Sequence, residues 1–232
     1  MSKYVISNKS GSAGKTTTAA NLVFPHVPDA LVFALDNAHT VAELGIHCTQ
    51  YDPLQFKEMF EKIFAIENAI VDVGGAKLFD EFLLKLTEAK QAHHEFDYFL
   101  VPAKPDDKSE TDAIYVVGKY LEAGIPASKI RVIYNAVDSL SKFTMLPGLV
   151  KLHGIKTAKI PKSDVYPILA ALRKTVKAVL ADPLSASDYK GIVLASDPDS
   201  DEYKQAFNNY YAKGMVELAD TQLKAAWAEL DI

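Results

Sequence analysis

The chain has few of the residues that mark a secreted or membrane-spanning protein. It contains a single cysteine, Cys48, among 232 residues, which excludes an internal disulfide and suits a reducing compartment. No apolar run approaches the roughly 20 residues that a membrane-spanning helix needs, and the first residues read as a strand rather than as a signal peptide. We therefore expect a cytoplasmic protein without a membrane partner.

Arginine and excess positive charge are also scarce. Only Arg131 and Arg173 are arginines among the 25 basic residues, so few side chains can bind phosphates or bases as a planar guanidinium does. The formal net charge is -5 and the sequence pI is about 5.7, which argues against a surface wholly committed to nucleic acid. We expect any DNA contact to be local or made through another protein.

Short apolar runs alternate with helical stretches along the first 180 residues. The runs lack polar alternation, as expected of strands covered on both faces, and lie at residues 3–7, 29–36, 69–74, 98–104, 130–138 and 157–161. Stretches with helical spacing lie between them, at residues 16–23, 53–66, 78–94, 107–123 and 166–180. This order implies right-handed crossovers and a mainly parallel sheet flanked by helices, a three-layer α/β/α architecture.

The pattern changes after Pro183. A long amphipathic stretch covers residues 203–230, where several apolar residues fall at roughly helical intervals and are expected to pack on the rest of the protein: Tyr210, Tyr211, Met215, Leu218, Leu223 and Trp227. With 49% hydrophobic residues the chain suits one large core. We expect residues 1–232 to form a single domain, with residues 183–232 as a helical C-terminal appendage.

A glycine-rich string, Asn8-KSGSAGKTTT-Ala19, follows the first predicted strand and opens a helix. That context favours a phosphate-binding loop over a string that caps a helix by accident. Gly11 and Gly14 can adopt backbone angles closed to other residues, so that several N–H groups converge on a phosphate. Lys15 would reach the terminal phosphates, and Thr16 would offer its hydroxyl to Mg²⁺. The predicted nucleotide-binding residues of the loop are Ser10, Gly11, Ser12, Ala13, Gly14, Lys15, Thr16 and Thr17.

Acidic residues end the two strands that follow. Asp36 ends the second predicted strand, and Asp72 ends the third, shortly before Gly75. Phosphoryl transfer needs a metal and a group that orients the attacking water, so carboxylates at strand ends near the loop are its candidates. Each aspartate could instead cap the next helix. We expect Thr16, Asp36 and Asp72 to hold Mg²⁺.

These motifs resemble those of the ParA/MinD family of P-loop ATPases. The strict pattern G-x-x-x-x-G-K-S/T is not met, because Lys9 stands where its first glycine would be. Loops of this family are deviant and carry a signature lysine, usually five residues before the loop lysine, a place taken here by Ser10. The resemblance implies that Lys9 reaches a phosphate of ATP held by a partner subunit. The alternative is a solvated lysine at a strand end.

The same resemblance implies further roles. Asp36 takes the place of the second aspartate of a D-x-D pair linked to water positioning, where Ala34 replaces the first, so Lys15, Asp36 and Lys9 are the catalytic candidates. Asp72 resembles a Walker B aspartate, and Gly75 would place its N–H against the γ-phosphate. Asn135 and Pro161 would contact the purine, and Pro161 lies in the segment Ile160-PKS-Asp164. ATP is favoured over GTP because Asn135-AVD lacks the lysine of a guanine-reading box.

Among small members of that family, the run from Ile70-VDVGGA-Lys77 through Phe99-LVPA-Lys104 is most similar to StbB-type plasmid stabilisation or mobilisation ATPases. The resemblance implies an ATP-dependent dimerisation switch in plasmid partition, stabilisation or conjugative mobilisation. The dimer would engage a DNA-binding adaptor or another plasmid-encoded protein until hydrolysis releases it.

Two alternatives stay open. One is a metabolic P-loop kinase or ligase, which should add phosphate-clamping arginines. The other is a nucleotide-binding regulatory partner that does not hydrolyse.

Overall fold

A computed structural model describes residues 2–35, 41–89 and 92–232. Within these ranges seven strands form one sheet in the order β3-β2-β4-β1-β5-β6-β7, and every neighbouring pair is parallel. The strands are β1 Ser2–Ser7, β2 Leu31–Leu35, β3 Cys48–Gln50, β4 Asn68–Val73, β5 Tyr98–Ala103, β6 Ile130–Val137 and β7 Lys156–Pro161. All six predicted strands are confirmed. The additional strand, β3, lies at the edge of the sheet and has no apolar run that could predict it.

Helices connect the strands on both faces of the sheet. The first, α1 Lys15–Thr17, continues as a π-helix over Thr18–Val23. The others are α2 Phe56–Phe64, α3 Ala76–Glu88, α4 Asp107–Glu122, α5 Leu146–His153, α6 Val165–Leu172, α7 Val176–Ala181, α8 Ala186–Ala195 and α9 Asp201–Leu230. Short 3-10 turns lie at Phe24–His26, Val41–Leu44, Pro53–Gln55, Ala92–Glu95 and Ala127–Lys129.

Two hydrophobic cores lie on opposite faces of the sheet. In the central strand β1, Val5 packs in the core formed with α2 to α5, whereas Tyr4 and Ile6 pack in the core formed with the π-helix, α6, α7 and α9. Successive side chains of a strand point to opposite faces, so an uninterrupted apolar run serves both layers. The predicted three-layer α/β/α architecture is therefore confirmed.

Two helical predictions need correction. The stretch 166–180 forms two helices, because Arg173 adopts a left-handed conformation with φ 53° and ends α6. Thr175 then begins α7, its side chain accepting a hydrogen bond from the backbone N–H of Ala178 at 3.1 Å. The second correction is α5, Leu146–His153, which the spacing did not predict.

The predicted helical appendage is α8 and α9. The long helix α9 buries Ala212, Val216 and Leu223 against the rest of the protein. Tyr211 and Leu218 were expected to pack there too, but they are 48% and 64% exposed, so α9 carries apolar side chains on its outer face as well. Among the helices described, none is long and apolar enough to cross a membrane.

Candidate functional site

The phosphate loop, residues 8–14, joins the carboxyl end of β1 to α1 at the centre of the sheet. Gly14 has φ 93°, in the left-handed region that favours glycine. A Cβ at Gly14 would overlap the side-chain amide of Asn135, which donates a hydrogen bond to the Ala13 carbonyl at 3.0 Å. Gly11 lies at the exposed tip of the loop and has no such backbone angle. Glycine is thus required at Gly14 and not, on these grounds, at Gly11.

Lys15 lies inside the loop rather than in solvent. Its Nζ donates to the Ser10 carbonyl at 2.8 Å, and the residue is 5% exposed. A buried ammonium held against loop backbone, at the start of a helix, attracts an anion strongly because little water screens it. The predicted loop residues therefore lie together around Lys15, with Gly11 and Ser12 exposed.

Asn8 fixes the loop to the sheet, a role that the sequence analysis did not assign. It is fully buried; its Oδ1 accepts from the Ser10 N–H at 2.8 Å, and its Nδ2 donates to the Pro102 carbonyl of β5 at 2.7 Å. Beside it, Ser7 Oγ and the Tyr120 hydroxyl are 2.5 Å apart. Burial raises the pKa of Tyr120, so this hydroxyl stays protonated in the hydrogen bond. An asparagine directly after a strand is the only local signal of this arrangement.

Thr16 and Asp72 form an oxygen pair next to the loop. The Thr16 hydroxyl donates to Asp72 Oδ2 at 3.4 Å, and Asp72 is buried near the end of β4, the strand that pairs with β1. In the described part of the chain no group of three or more acidic, histidine or cysteine side chains could hold a metal. A hydroxyl and one carboxylate nevertheless suit Mg²⁺, which keeps several waters and takes other ligands from phosphates. The third predicted ligand, Asp36, lies outside the described residues.

The segment after Asp72 runs alongside the phosphate loop. Gly75 directly precedes α3, and the nearest atom to a Cβ at that position is the Lys9 carbonyl oxygen at 3.7 Å. The preceding Gly74 donates its N–H to the Leu35 carbonyl at 2.8 Å, which joins the ends of β4 and β2. Gly75 therefore lies beside the loop, where the predicted contact of its N–H with a phosphate requires it.

The end of β6 is reshaped beside the loop. Ala136 has φ 57° and the pairing with β7 shifts register between Asn135 and Val137, which is a β-bulge. The bulge follows directly on Asn135, whose amide contacts Ala13. Pro161 lies on the next strand, paired with Val137. The predicted contacts of Asn135 and Pro161 with a purine stay predictions.

Lys9 has surroundings different from those of Lys15. Its Nζ is 3.2 Å from Asp80 Oδ2 of α3 and 4.0 Å from the ring centroid of Tyr115 of α4. The Tyr115 hydroxyl donates to the other oxygen of Asp80, Oδ1, at 3.3 Å. The Lys9 side chain is 20% exposed, so it is not simply a solvated residue at a strand end.

Arg131 lies at the amino end of its strand, whereas the phosphate loop lies at the carboxyl ends of the strands. Arg131, at the start of β6, is buried and donates to the carbonyls of Leu230 at 2.7 Å and of Asp231 at 3.2 Å. It also stacks on Tyr98, with 4.8 Å between the guanidinium carbon and the ring centroid. Arg173 ends α6. Arg131 is therefore committed to holding the end of α9.

Comparison with family models and with curated proteins found no match. Among solved structures, the chain is similar to a MinD cell division protein of Aquifex aeolicus, with 14% identity, TM-score 0.55 and coverage of 91% of this chain and 95% of that one. It is also similar to a MinD of Pyrococcus horikoshii complexed with Mg-ADP, with 18% identity, TM-score 0.55 and coverage of 96% and 99%. A third is a putative plasmid partition protein of Borrelia burgdorferi bound to AMPPNP, with 12% identity, TM-score 0.52 and coverage of 91% and 98%. These likenesses show the fold, which is the P-loop NTPase fold of MinD and ParA proteins.

Proposed function

We propose that this chain binds and hydrolyses ATP with Mg²⁺, as an ATPase of the ParA/MinD type. The phosphate loop carries the proposal: the buried Lys15 ammonium lies on the Ser10 carbonyl at 2.8 Å, and the Thr16–Asp72 pair lies beside it. A nucleoside triphosphate needs a cation, a helix start and oxygen ligands for its metal ion. These groups lie together here at the carboxyl ends of central parallel strands.

The proposal gives each predicted site residue a role. Lys15 and the backbone N–H groups of residues 10–17 bind the phosphates, and Gly75 adds its N–H. Thr16, Asp72 and Asp36 hold Mg²⁺, and Asp36 also orients the attacking water. Bound Mg²⁺ neutralises the charge that develops on the phosphates. On the adenine side, the ligands are Asn135 and Pro161.

We further propose that ATP joins two copies of this chain, with Lys9 reaching the nucleotide of the partner. Residues 1–232 act as one cytoplasmic ATPase domain, a switch of the StbB type in plasmid partition, stabilisation or conjugative mobilisation. Its partner is a DNA-binding adaptor or another plasmid-encoded protein. Support comes from the neighbours in fold, which include structures with Mg-ADP and AMPPNP and a complex of MinC with MinD.

A metabolic kinase or ligase is the less favoured function. Such enzymes bind the transferred phosphoryl group with arginines, and Arg131 holds the end of α9 instead. A regulatory protein that binds without hydrolysis would keep Lys15, so turnover has to separate it from the ATPase.

The first experiment compares the wild type with Lys15→Ala, and with Lys57→Ala as the control because Lys57 is 91% exposed. Turnover and molecular mass are measured with Mg·ATP, with Mg·ADP and without nucleotide. We expect Lys15→Ala to lose at least about 10²-fold in turnover, as loss of one preorganised charge does in other enzymes. The wild type and Lys57→Ala should turn over ATP and pair with Mg·ATP.

Other outcomes would redirect the proposal. A monomer under every condition with normal turnover would refute the two-copy switch and favour a metabolic enzyme. Binding without turnover would favour the regulatory partner.

A further inference from the structure

Three side chains from different elements meet on the surface beside the phosphate loop. Lys9 comes from the loop, Asp80 from α3 and Tyr115 from α4, and we call them the Lys9 clamp. The ammonium has an ion pair with one oxygen of Asp80 and lies over the Tyr115 ring, whose hydroxyl donates to the other oxygen. Each member of the clamp thus contacts both of the others.

The clamp is not needed to join α3 to α4. The core beneath it already packs these helices through Phe79 of α3 and Tyr120 of α4, which are fully buried with their ring centroids 5.5 Å apart. The Asp80 side chain is 48% exposed, and an ion pair at such a site adds little to folding. The clamp therefore fixes the position of the Lys9 ammonium but adds little to the stability of the fold.

The position of Asp80 connects the clamp to the nucleotide site. Asp80 lies in the second turn of α3, the helix that begins directly after Gly75. The Lys9 backbone lies next to Gly75. A phosphate bound at Gly75 would act on the start of the helix that holds the Lys9 side chain.

We propose that Asp80 and Tyr115 are positioning residues that keep Lys9 on its own subunit until nucleotide-dependent pairing releases it. This inference rests on the proposed function, in which Lys9 acts on the partner's nucleotide. The clamp and the partner compete for one ammonium, so each opposes the other. Exposed ion pairs are weak, and their loss changes an equilibrium by about two- to fivefold.

The test uses Asp80→Asn, which removes the charge and keeps the shape. Its matched control is Glu81→Gln, because Glu81 is the next residue of α3 and pairs with Lys77 at 3.8 Å rather than with Lys9. The first readout is the rate at which an amine-specific reagent labels Lys9 without nucleotide, measured by mass spectrometry against Lys57. We expect labelling of Lys9 to be about two- to fivefold faster in Asp80→Asn and unchanged in Glu81→Gln.

The second readout is the protein concentration at which half of the chain is paired in Mg·AMPPNP. We expect Asp80→Asn to lower this concentration by about two- to fivefold, since Lys9 no longer has to leave the clamp. In Lys9→Ala the same Asp80 substitution should have no effect. Tyr115→Phe, which keeps the ring and removes the hydroxyl, provides a second variant if Asp80→Asn folds poorly.

The outcomes separate this inference from the proposed function. A wild type that pairs with nucleotide while Asp80→Asn pairs at the same concentration would overturn the clamp as a control of Lys9. Equal labelling of Lys9 in Asp80→Asn and wild type would overturn it as well. A wild type that neither pairs nor turns over ATP would instead overturn the proposed function and the release step, and the labelling rates would still show whether the clamp holds Lys9.

Discussion

Two helices that begin at the carboxyl edge of the sheet, α5 and α1, differ in what lies at their first N–H groups. At the start of α5 the charge belongs to the chain: Glu110 accepts hydrogen bonds from the N–H groups of Thr144, Met145 and Leu146 at 2.8, 2.7 and 2.7 Å. At the start of α1 the chain provides the phosphate loop and the Lys15 ammonium. Under the proposed function, both helix starts direct N–H groups toward an anion. An anion from the chain itself makes a helix start structural, whereas a ligand's phosphate would make it a binding site.

Gly14→Ala alters the loop at the start of α1, and among the substitutions that test this comparison it has the largest expected effect. The left-handed backbone and the contact with Asn135 leave no room for a Cβ, so the Asn135 side chain or the loop has to move. We expect nucleotide affinity to fall by about 5- to 150-fold, from strain of about 1–3 kcal/mol. Calorimetric titration with AMPPNP measures it, with Gly11→Ala as the matched control because a Cβ there has open space. Equal affinities of the two variants would show that the Gly14 geometry does not matter for binding.

Glu110→Gln removes the negative charge at the start of α5. Glu110 is 3% exposed, and the amide keeps one acceptor oxygen but loses the charge and brings a buried NH₂ toward the N–H groups. We expect unfolding free energy to fall by about 1–3 kcal/mol while ATP turnover per folded chain stays unchanged. Denaturant unfolding measures the loss, and Glu122→Gln on the exposed end of the same helix is the control. A normal stability with reduced turnover would reverse the assignment of the two helix starts.

The difference in unfolding free energy between wild type and Glu110→Gln should shrink at acidic pH. Burial raises the pKa of Glu110, but the hydrogen bonds from Leu146, Thr144 and Met145 outweigh it and hold the pKa below its ordinary value of 4.5. A carboxyl with a lowered folded-state pKa stabilises the protein above its unfolded pKa, and this stability is lost as pH falls through the folded pKa. Unfolding curves of the two proteins, recorded from pH 7 down to about pH 3, should therefore converge. A constant difference would contradict the lowered pKa.

Ala136→Gly has the smallest expected effect and tests the bulge beside the loop. Alanine at φ 57° is disfavoured, and glycine relieves that strain at some entropic cost in the unfolded chain. We expect stability to rise by about 0.5 kcal/mol. The control, Ala158→Gly in the buried part of β7, should instead lose about 1 kcal/mol. Thermal unfolding of both variants measures these shifts, and destabilisation by Ala136→Gly would mean that its methyl group is needed.

The fold was predictable where one segment carries its own signal. Six apolar runs predicted six strands. A strand covered on both faces is apolar along its length, so it can be recognised without knowing its neighbours in the sheet. The edge strand β3 has exposed Thr49 and Gln50 and gives no such signal. The start of α5 depends on Glu110, a residue 36 positions before Leu146. Pro147 in the first turn of this helix is common both at helix starts and in loops, so it does not distinguish the two.

The same limit applies to the site. The loop string and Asp72 were predicted from local motifs, and the structure brings Thr16 and Asp72 together. The partners of Asn8, Lys9 and Asn135 lie 94, 71 and 122 residues away, and no spacing rule reaches so far. The catalytic and metal roles of Asp36 stay predictions because residues 36–40 lie outside the described ranges.

The hold of Arg131 on the end of α9 has a consequence for the order of folding. Its acceptor carbonyls at Leu230 and Asp231 are 99 and 100 residues further along the chain. During synthesis, β6 therefore leaves the ribosome long before these acceptors exist. Until then the partners of the guanidinium are the nearer ones, the carbonyls of Ser128 and Ile130 and the ring of Tyr98. Contacts of such long range are slow to form. The helical layer that α9 completes should be the last part of the fold to gain protection from hydrogen exchange.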